Sequence, residues 1–145
     1  RKETIMGKVQ ILAVLTMDGC LSSELYDKAH QDLCLDRCGL DEIRKKAFYR
    51  VTPDYSISML HEWRKDCTNI RYLAEATPDT ADYINGLLRM HAVDEIILYT
   101  VPFISGSGRH FFKSALPEQH WTLSSLKSYP NGVCRIIYIL DKKAR

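Results

Sequence analysis

The sequence predicts a single α/β domain with a mixed sheet, and three stretches of the chain predict it. Residues 9–15 form an almost continuous apolar run of strand length, which is typical of a central strand buried on both faces. Residues 70–101 contain a strand, a helix and a second strand, the pattern of a βαβ unit with a parallel pair and a right-handed crossover. Residues 121–140 place Asn-Gly between two β-prone runs, which is a strong short-range signal for a hairpin. We therefore expect a sheet that is parallel in its middle and antiparallel at its C-terminal end.

Length and charge limit the classes of function. The 145 residues, 46% of them hydrophobic, suit one compact core. A net charge of +2 with acidic and basic residues interspersed gives no basic surface for nucleic acid or an anionic membrane. No apolar run approaches the roughly 20 residues that span a bilayer, and no secretory apolar region follows the start. Five cysteines, an odd number, favour reduced thiols, so we expect a soluble cytoplasmic protein.

The first half of the chain gives weaker signals after its first strand. Thr16-Met17-Asp18-Gly19 ends the strand, and Gly19 permits a left-handed turn there. Residues 20–39 indicate a loop and a loose helical stretch. Residues 41–50 are acidic first and basic later, which predicts a helix. Alternation over residues 55–60 predicts a strand.

The second half is more regular. A strand over residues 70–73 precedes a helix that starts with Thr77 as N-cap and Pro78 in the first helical position. A buried strand over 96–101 and a flexible loop over 104–108 follow. The helix has one apolar face, which comprises Ala81, Ile84, Leu87, Leu88 and either His91 or Ala92.

Four segments, taken in order, resemble one known family. They are the first strand with its Thr16–Gly19 turn, the predicted helix and strand over residues 41–60, Ala92-Val93-Asp94-Glu95-Ile96, and Val101-Pro102-Phe103 with the following glycine-rich turn. Together with the terminal hairpin they are similar to the dihydrofolate reductase-like superfamily, particularly the reductase domain of riboflavin biosynthesis. The resemblance implies a three-layer α/β/α domain over residues 1–145 with a mixed sheet and a C-terminal β-hairpin. It also implies NADPH-dependent reduction of a pteridine or ribosylaminopyrimidine substrate, and a homodimer.

The same resemblance implies where ligands bind. Asp18, at the end of the central strand, is the residue expected to contact the substrate, although an Asp that makes a local turn with Gly19 is an equal alternative. The residues implied for the cofactor lie at strand ends and at the start of the second-half helix: Ala13, Leu15, Gly19, Met59, Leu60, Ala74, Glu75, Ala76 and Thr77.

The chain departs from the family at the diphosphate-binding position. In the family, paired glycines let the backbone approach the diphosphate of the cofactor at a helix N-terminus. This sequence has Ala74-Glu75-Ala76-Thr77-Pro78, where side chains occupy that space and Pro78 has no amide hydrogen. A second glycine-containing segment of the family falls on Met59-Leu60-His61-Glu62, which lacks glycine. The alternative hypothesis is therefore a non-catalytic relative that binds a small molecule or a partner and has lost NADPH.

Other groups have a functional and a structural interpretation. His30, Cys34 and Cys38 are spaced by four and could ligate zinc from one helix face, but small core cysteines are the better interpretation, so no metal is expected. Arg64 and Lys65 could meet a 2′-phosphate, but a solvated charge pair is favoured.

The remaining candidates are an anion site, a proton donor and three aromatic residues. Residues 106–109, Gly-Ser-Gly-Arg, suit an anion nest, but a flexible turn is favoured. Asp32 and Asp36 are available as proton donors, and neither can be assigned. Three aromatic residues are expected in the core or an interface: Trp63, Trp121 and Tyr138.

Overall fold

The computed structural model of the chain describes residues 7–22, 35–66, 69–106 and 108–141. Within these residues the strands are β1 (Lys8–Leu15), β2 (Tyr49–Arg50), β3 (Arg71–Glu75), β4 (Glu95–Thr100), β5 (Trp121–Ser128) and β6 (Cys134–Leu140). The α-helices are α1 (Leu40–Lys46), α2 (Ile57–Asp66) and α3 (Ala81–Arg89), and a short 3-10 helix (Leu35–Cys38) precedes α1. Most of the loop and helix predicted over residues 20–39 falls outside the described residues.

The strands form one mixed sheet in the order β2-β3-β1-β4-β6-β5. Strands β2, β3, β1 and β4 are parallel, and β6 and β5 are antiparallel, as predicted. The predicted parallel pair within the βαβ unit is wrong, because β1 lies between β3 and β4 and pairs with both. The almost wholly apolar β1 takes the central position, which is buried on both faces.

Helices cover both faces of the sheet. Val9, Ile11 and Ala13 of β1 pack in one core with residues of α2 and α3. Leu12, between them in sequence, packs in the other core with Leu40 of α1. Because neighbouring residues of a strand point to opposite faces, β1 supplies both cores. The predicted three-layer α/β/α arrangement is confirmed.

The strand predicted over residues 55–60 is wrong, because this segment enters helix α2. The Oγ atom of Ser56 accepts a hydrogen bond from the amide of Met59 at 3.0 Å, as an N-cap residue does. Leu60 is fully buried and Trp63 packs against the same core, a spacing that fits one helical face. The alternation at residues 55–60 was too short to distinguish a strand from the first turn of a helix.

Two helix boundaries also differ from the predictions. The helix predicted over residues 41–50 ends at Lys46, and Tyr49 pairs with β3 instead, where its ring stacks on Tyr72 at a centroid distance of 5.5 Å. Helix α3 begins at Ala81 with Thr80 as N-cap, so the prediction of Thr77 as N-cap is wrong. Its apolar face is otherwise as predicted.

The C-terminal hairpin is confirmed. The amide of Tyr129 donates to the carbonyl oxygen of Val133 at 2.9 Å, and Oδ1 of Asn131 accepts from the amide of Val133 at 3.1 Å. Gly132 has a φ of 90°, a left-handed conformation that favours glycine. This turn fixes the register of β5 against β6.

Candidate functional site

The carboxyl ends of the parallel strands form the candidate site, which we call the carboxyl-edge crevice. Strand β3 ends at Glu75, opposite Leu12, and the amide of Ala76 donates to the carbonyl oxygen of Leu12 at 2.8 Å. Residues 13–15 of β1 therefore extend beyond β3 while they remain paired with β4. Open α/β sheets bind ligands in the crevice outside the carboxyl ends of such strands.

Asp18 lies in the turn that follows β1, and its carboxylate is bound by the chain itself. Oδ1 accepts hydrogen bonds from the hydroxyl of Thr16 at 2.5 Å and the amide of Ser105 at 3.1 Å, and Oδ2 accepts from the amide of Gly106 at 3.0 Å. These donors, the Thr16 hydroxyl first, hold the pKa of Asp18 well below its usual range. Asp18 therefore ties the loop at residues 103–106 to the first turn, and its contact with a substrate stays a prediction.

Gly19 shapes the same turn. Its φ of 81° is left-handed, which favours glycine, and its carbonyl oxygen accepts from the amide of Phe111 at 3.1 Å. The amides of Ser105 and Gly106 donate to Asp18, so this part of the loop already binds an anion of the chain itself. An anion nest over residues 106–109 and a contact between Gly19 and a cofactor both stay predictions, and Ser107 lies outside the described residues.

Glu75 sits in a charged group that the sequence did not predict, the Glu75 cluster (Glu75, Arg44 and Arg50). Arg44, in the last turn of α1, donates from Nε to Oε1 at 3.0 Å and from Nη2 to Oε2 at 2.5 Å. Arg50, at the end of β2, donates from Nη2 to Oε1 at 3.0 Å. The three residues come from three elements and are distant in sequence, so no local pattern could reveal the cluster.

The turn between β3 and α3 uses its own hydrogen-bond donors. The amide of Thr77 donates to Oγ1 of Thr80 at 2.8 Å, and the amide of Thr80 donates to Oγ1 of Thr77 at 3.2 Å. The Thr80 hydroxyl in turn donates to the carbonyl oxygen of Glu75 at 2.8 Å. Pro78 has no amide hydrogen. Because the amides of Thr77 and Thr80 are already bonded within the turn, these residues do not fit the diphosphate of NADPH.

The other residues predicted for the cofactor are mostly buried in the core. Ala13, Leu15, Ala74 and Ala76 belong to the core on the α2 and α3 side of the sheet and are at most 8% exposed. Met59 and Leu60 lie on helix α2, so their predicted place at a strand end is wrong. Leu60 is fully buried, whereas Met59 is half exposed.

Arg64 lies at the opposite edge of the sheet, where the parallel strands begin. It is 94% buried, and its Nη1 lies 3.2 Å from Oδ1 of Asp94, whose Oδ2 accepts from the amide of Val9 at 2.9 Å. The prediction of a solvated charge pair is wrong for Arg64. Because Arg64 lies at the edge where the parallel strands begin, the alternative, a contact with a 2′-phosphate at the carboxyl edge, is also excluded. Lys65 is exposed.

The metal hypothesis gains no support from the described residues. Among them no three His, Cys, Asp or Glu side chains are grouped as metal ligands would be. Cys38 is buried, and its carbonyl oxygen accepts from the Tyr99 hydroxyl at 2.7 Å. Outside the described residues lie His30, Asp32, Cys34 and the side chain of Asp36.

Trp63 and Trp121 are placed in the core as expected, and the place of Tyr138 in a core or an interface stays a prediction. Trp63 stacks with Tyr72 at a centroid distance of 6.3 Å, and both Trp63 and Trp121 pack against the main core. Tyr138 is half-buried on β6. None of the helices in the described ranges has the length and apolar character that crossing a bilayer requires.

The architecture is that of the dihydrofolate reductase-like fold: a mixed sheet with helices on both faces and a C-terminal hairpin. No protein-family model and no curated protein matches the sequence. Solved structures do match the fold. A candidate riboflavin biosynthesis protein from Shewanella sp. PV-4 superposes with a TM-score of 0.61 at 9% identity, over 93% of this chain and 99% of that chain.

Two further structures agree. Dihydrofolate reductase from Enterococcus faecalis, complexed with NADP(H) and RAB-propyl, gives a TM-score of 0.56 at 10% identity over 93% of this chain and 97% of that one. RibD of Acinetobacter baumannii gives 0.54 at 15% identity over 94% of this chain, which spans 58% of the length of that RibD. At these identities the likeness establishes the fold alone.

Proposed function

We propose that this chain is a relative of the reductases that binds a small organic molecule in the carboxyl-edge crevice and has lost the diphosphate-binding position for NADPH. One observation carries the proposal: the amides of Thr77 and Thr80 are bonded within their own turn. A diphosphate bound where this turn leads into α3 needs backbone amides as donors. To use these two amides the ligand would have to break both hydrogen bonds, and the helix itself begins only at Ala81.

The side chains at positions 75 and 76 support the same proposal. Where the family has paired glycines, this chain has Glu75 and Ala76, and their side chains hinder a close approach of the backbone to a diphosphate. We further propose a cytoplasmic location, in which the thiols of Cys20 and Cys134, free in the structure, stay reduced.

A second candidate function is NADPH-dependent reduction of a pteridine or ribosylaminopyrimidine. The observation that favours it is the extension of β1 beyond β3 at the carboxyl edge of the sheet, the edge where open α/β sheets bind ligands. This function requires the turn at residues 76–80 to rearrange before the cofactor can bind.

Titration of NADPH into the purified protein distinguishes the two functions. We expect no saturable binding up to millimolar NADPH, followed by the fluorescence of Trp63 and Trp121 and by thermal shift. The reason is that the amides of Thr77 and Thr80 are already bonded within their own turn. Saturable binding at micromolar NADPH would overturn the proposal in favour of the reductase.

A glycine variant is the positive arm of this experiment. The double substitution Glu75→Gly and Ala76→Gly restores the paired glycines that let a backbone approach a diphosphate. We expect this variant to gain saturable NADPH binding. Circular dichroism of both proteins controls for folding, and an unchanged affinity would show that the two side chains are not what blocks the position.

The proposed assembly is a homodimer through the β5–β6 patch (Leu123, Leu126, Ile136 and Tyr138). Strand β5 is an edge strand, and a register shift between Leu123 and Ser125 places Leu123 and Leu126 on the same face. These two leucines are 51% and 62% exposed, beside half-buried Ile136 and Tyr138. Contiguous exposed apolar surface of this kind marks interfaces, and most dimers use a two-fold axis.

Replacing Leu126 by Lys is expected to convert the dimer to a monomer, because the two-fold axis places one new lysine from each subunit in the apolar interface. Sedimentation equilibrium measures the change. Thr122→Lys is the matched control, since Thr122 lies on the same strand but points to the other face. A wild-type protein that is monomeric at high micromolar concentration would contradict the proposed dimer.

A further inference from the structure

Two carboxylates of the chain occupy the two anion-binding positions of the carboxyl-edge crevice. The amides of Ser105 and Gly106 hold Asp18, and the guanidinium groups of Arg44 and Arg50 hold Glu75. Backbone nests and paired arginines are both common binding groups for the oxyanions of ligands. In this chain each group already has an internal anion.

The two carboxylates are held in different ways. Asp18 is bound by two backbone amides and by the neighbouring Thr16 hydroxyl, so its release would require the loop to move. Glu75 is bound by side chains, and Arg50 is about half exposed. Rotation of the Glu75 side chain would free the facing donors without a change in the backbone.

We propose that Arg44 and Arg50 form a binding site for the oxyanion of a small-molecule ligand, and that Glu75 occupies this site until the ligand displaces it. The inference rests on the proposed function, since it identifies the chemistry of the molecule bound in the crevice. It assigns to that molecule a phosphoryl or carboxylate group, the chemistry that the fork of Arg44 recognises.

The geometry of the Glu75 cluster supports an exchangeable anion. Nε and Nη2 of Arg44 donate to different oxygens of one carboxylate, which is the fork that binds ligand oxyanions in a bidentate way. The donor from Arg50 converges on the same oxygen as Nε of Arg44, so a group with three oxygens would give each donor its own acceptor. Phosphoryl groups have this property and carboxylates do not.

Exposure differs within the cluster. The side chains of Arg44 and Glu75 are 23% and 25% exposed, whereas that of Arg50 is 54% exposed, and an ion pair as open to solvent as the Arg50 pair contributes little to folding. The cluster nevertheless gathers residues of α1, β2 and β3 at the edge of the sheet where ligands bind.

Titration of inorganic phosphate tests the site. The variant Glu75→Gln keeps the size of the side chain but removes its charge. If Glu75 occupies the arginine site about nine-tenths of the time in wild type, we expect this variant to bind phosphate about tenfold more tightly than wild type does. Isothermal titration at constant ionic strength gives the affinities, and acetate replaces phosphate in a parallel titration. In the Glu75→Gln variant, tighter binding of phosphate than of acetate assigns a phosphoryl ligand, and tighter binding of acetate assigns a carboxylate.

The controls separate a specific site from a general effect of charge. Asp41→Asn makes the same change in net charge on α1 by removing the exposed partner of Lys45, and we expect no gain in affinity. Adding Arg44→Gln to Glu75→Gln is expected to abolish the gain. If Asp41→Asn binds phosphate as tightly as Glu75→Gln does, or if Glu75→Gln matches wild type, the proposal is wrong.

A further variant and a parallel titration complete the test. Glu75→Asp keeps the charge but shortens the reach, so an intermediate affinity is expected, and this variant decides the matter if Glu75→Gln does not fold. NADPH binding by wild type would overturn the proposed function. The arginine site is tested separately, by the phosphate affinities of the variants relative to wild type.

Discussion

Replacing Asp94 by Asn is expected to lower the free energy of unfolding by about 3–5 kcal/mol, because it leaves the buried guanidinium of Arg64 without its counter-charge. The two side chains are 8% and 16% exposed, and they lie 3.2 Å apart. Nε of Arg64 is buried and makes no hydrogen bond within the described part of the chain, so the group depends on its remaining contacts. Urea denaturation measures the effect as a lower midpoint with an unchanged slope.

Two companion variants show that the loss comes from the unpaired charge. Asp41→Asn breaks the exposed pair with Lys45, and we expect a change of about 0.5 kcal/mol or less. Adding Arg64→Met to Asp94→Asn is expected to recover most of the lost stability, since the unpaired charge is then gone. An Asp94→Asn protein within about 1 kcal/mol of wild type would contradict the assignment.

The buried pair and the Glu75 cluster lie at opposite edges of one sheet and are built differently. At the amino edge, Asp94 also accepts from the amide of Val9, so the pair fastens β1, β4 and α2 together. At the carboxyl edge, the side chains of Arg44, Arg50 and Glu75 are 23%, 54% and 25% exposed and so are more open to solvent. A ligand can therefore rearrange the carboxyl edge while the amino edge keeps the strands in place.

The sequence predicted the elements whose signals are local. β1 and β4 are continuous apolar runs, and the hairpin follows from Asn131-Gly132 between β-prone segments. The order and spacing of such segments also predicted the overall fold, because they resemble a known superfamily. The fold prediction is confirmed by structures whose sequences are at most 15% identical to this one.

The errors have a common physical cause, since tertiary contacts decided where local signals were weak. Residues 55–60 alternate as a strand does, but burial of Leu60 against the sheet favours the helix. The hydroxyl of Thr80 donates to the carbonyl oxygen of Glu75, and the N-cap of α3 is Thr80, three residues beyond the predicted Thr77. The Glu75 cluster and the pair of Arg64 with Asp94 join residues that only the folded chain brings together.

Replacing Asn85 by Ala is expected to lower the free energy of unfolding by about 2–4 kcal/mol, because it leaves several polar groups without partners. Asn85 is fully buried in α3. Its Nδ2 donates to the carbonyl oxygens of Ala81 at 2.8 Å and Phe111 at 2.9 Å, and its Oδ1 accepts from the amide of Lys113 at 3.0 Å. Thermal and urea unfolding measure the loss.

The effect of Asn85→Ala should also reach the candidate site, which separates it from a general loss of packing. Phe111 donates from its amide to the carbonyl oxygen of Gly19, so loosening residues 111–113 removes a support of the turn that carries Asp18. Hydrogen exchange of the Phe111 amide should therefore accelerate more than exchange in β1. Asp82→Ala, at an exposed position of the same helix, should leave this exchange unchanged and cost about 0.5 kcal/mol. If Asn85→Ala accelerates exchange equally in β1 and at Phe111, Asn85 stabilises the whole fold and does not specifically support the turn.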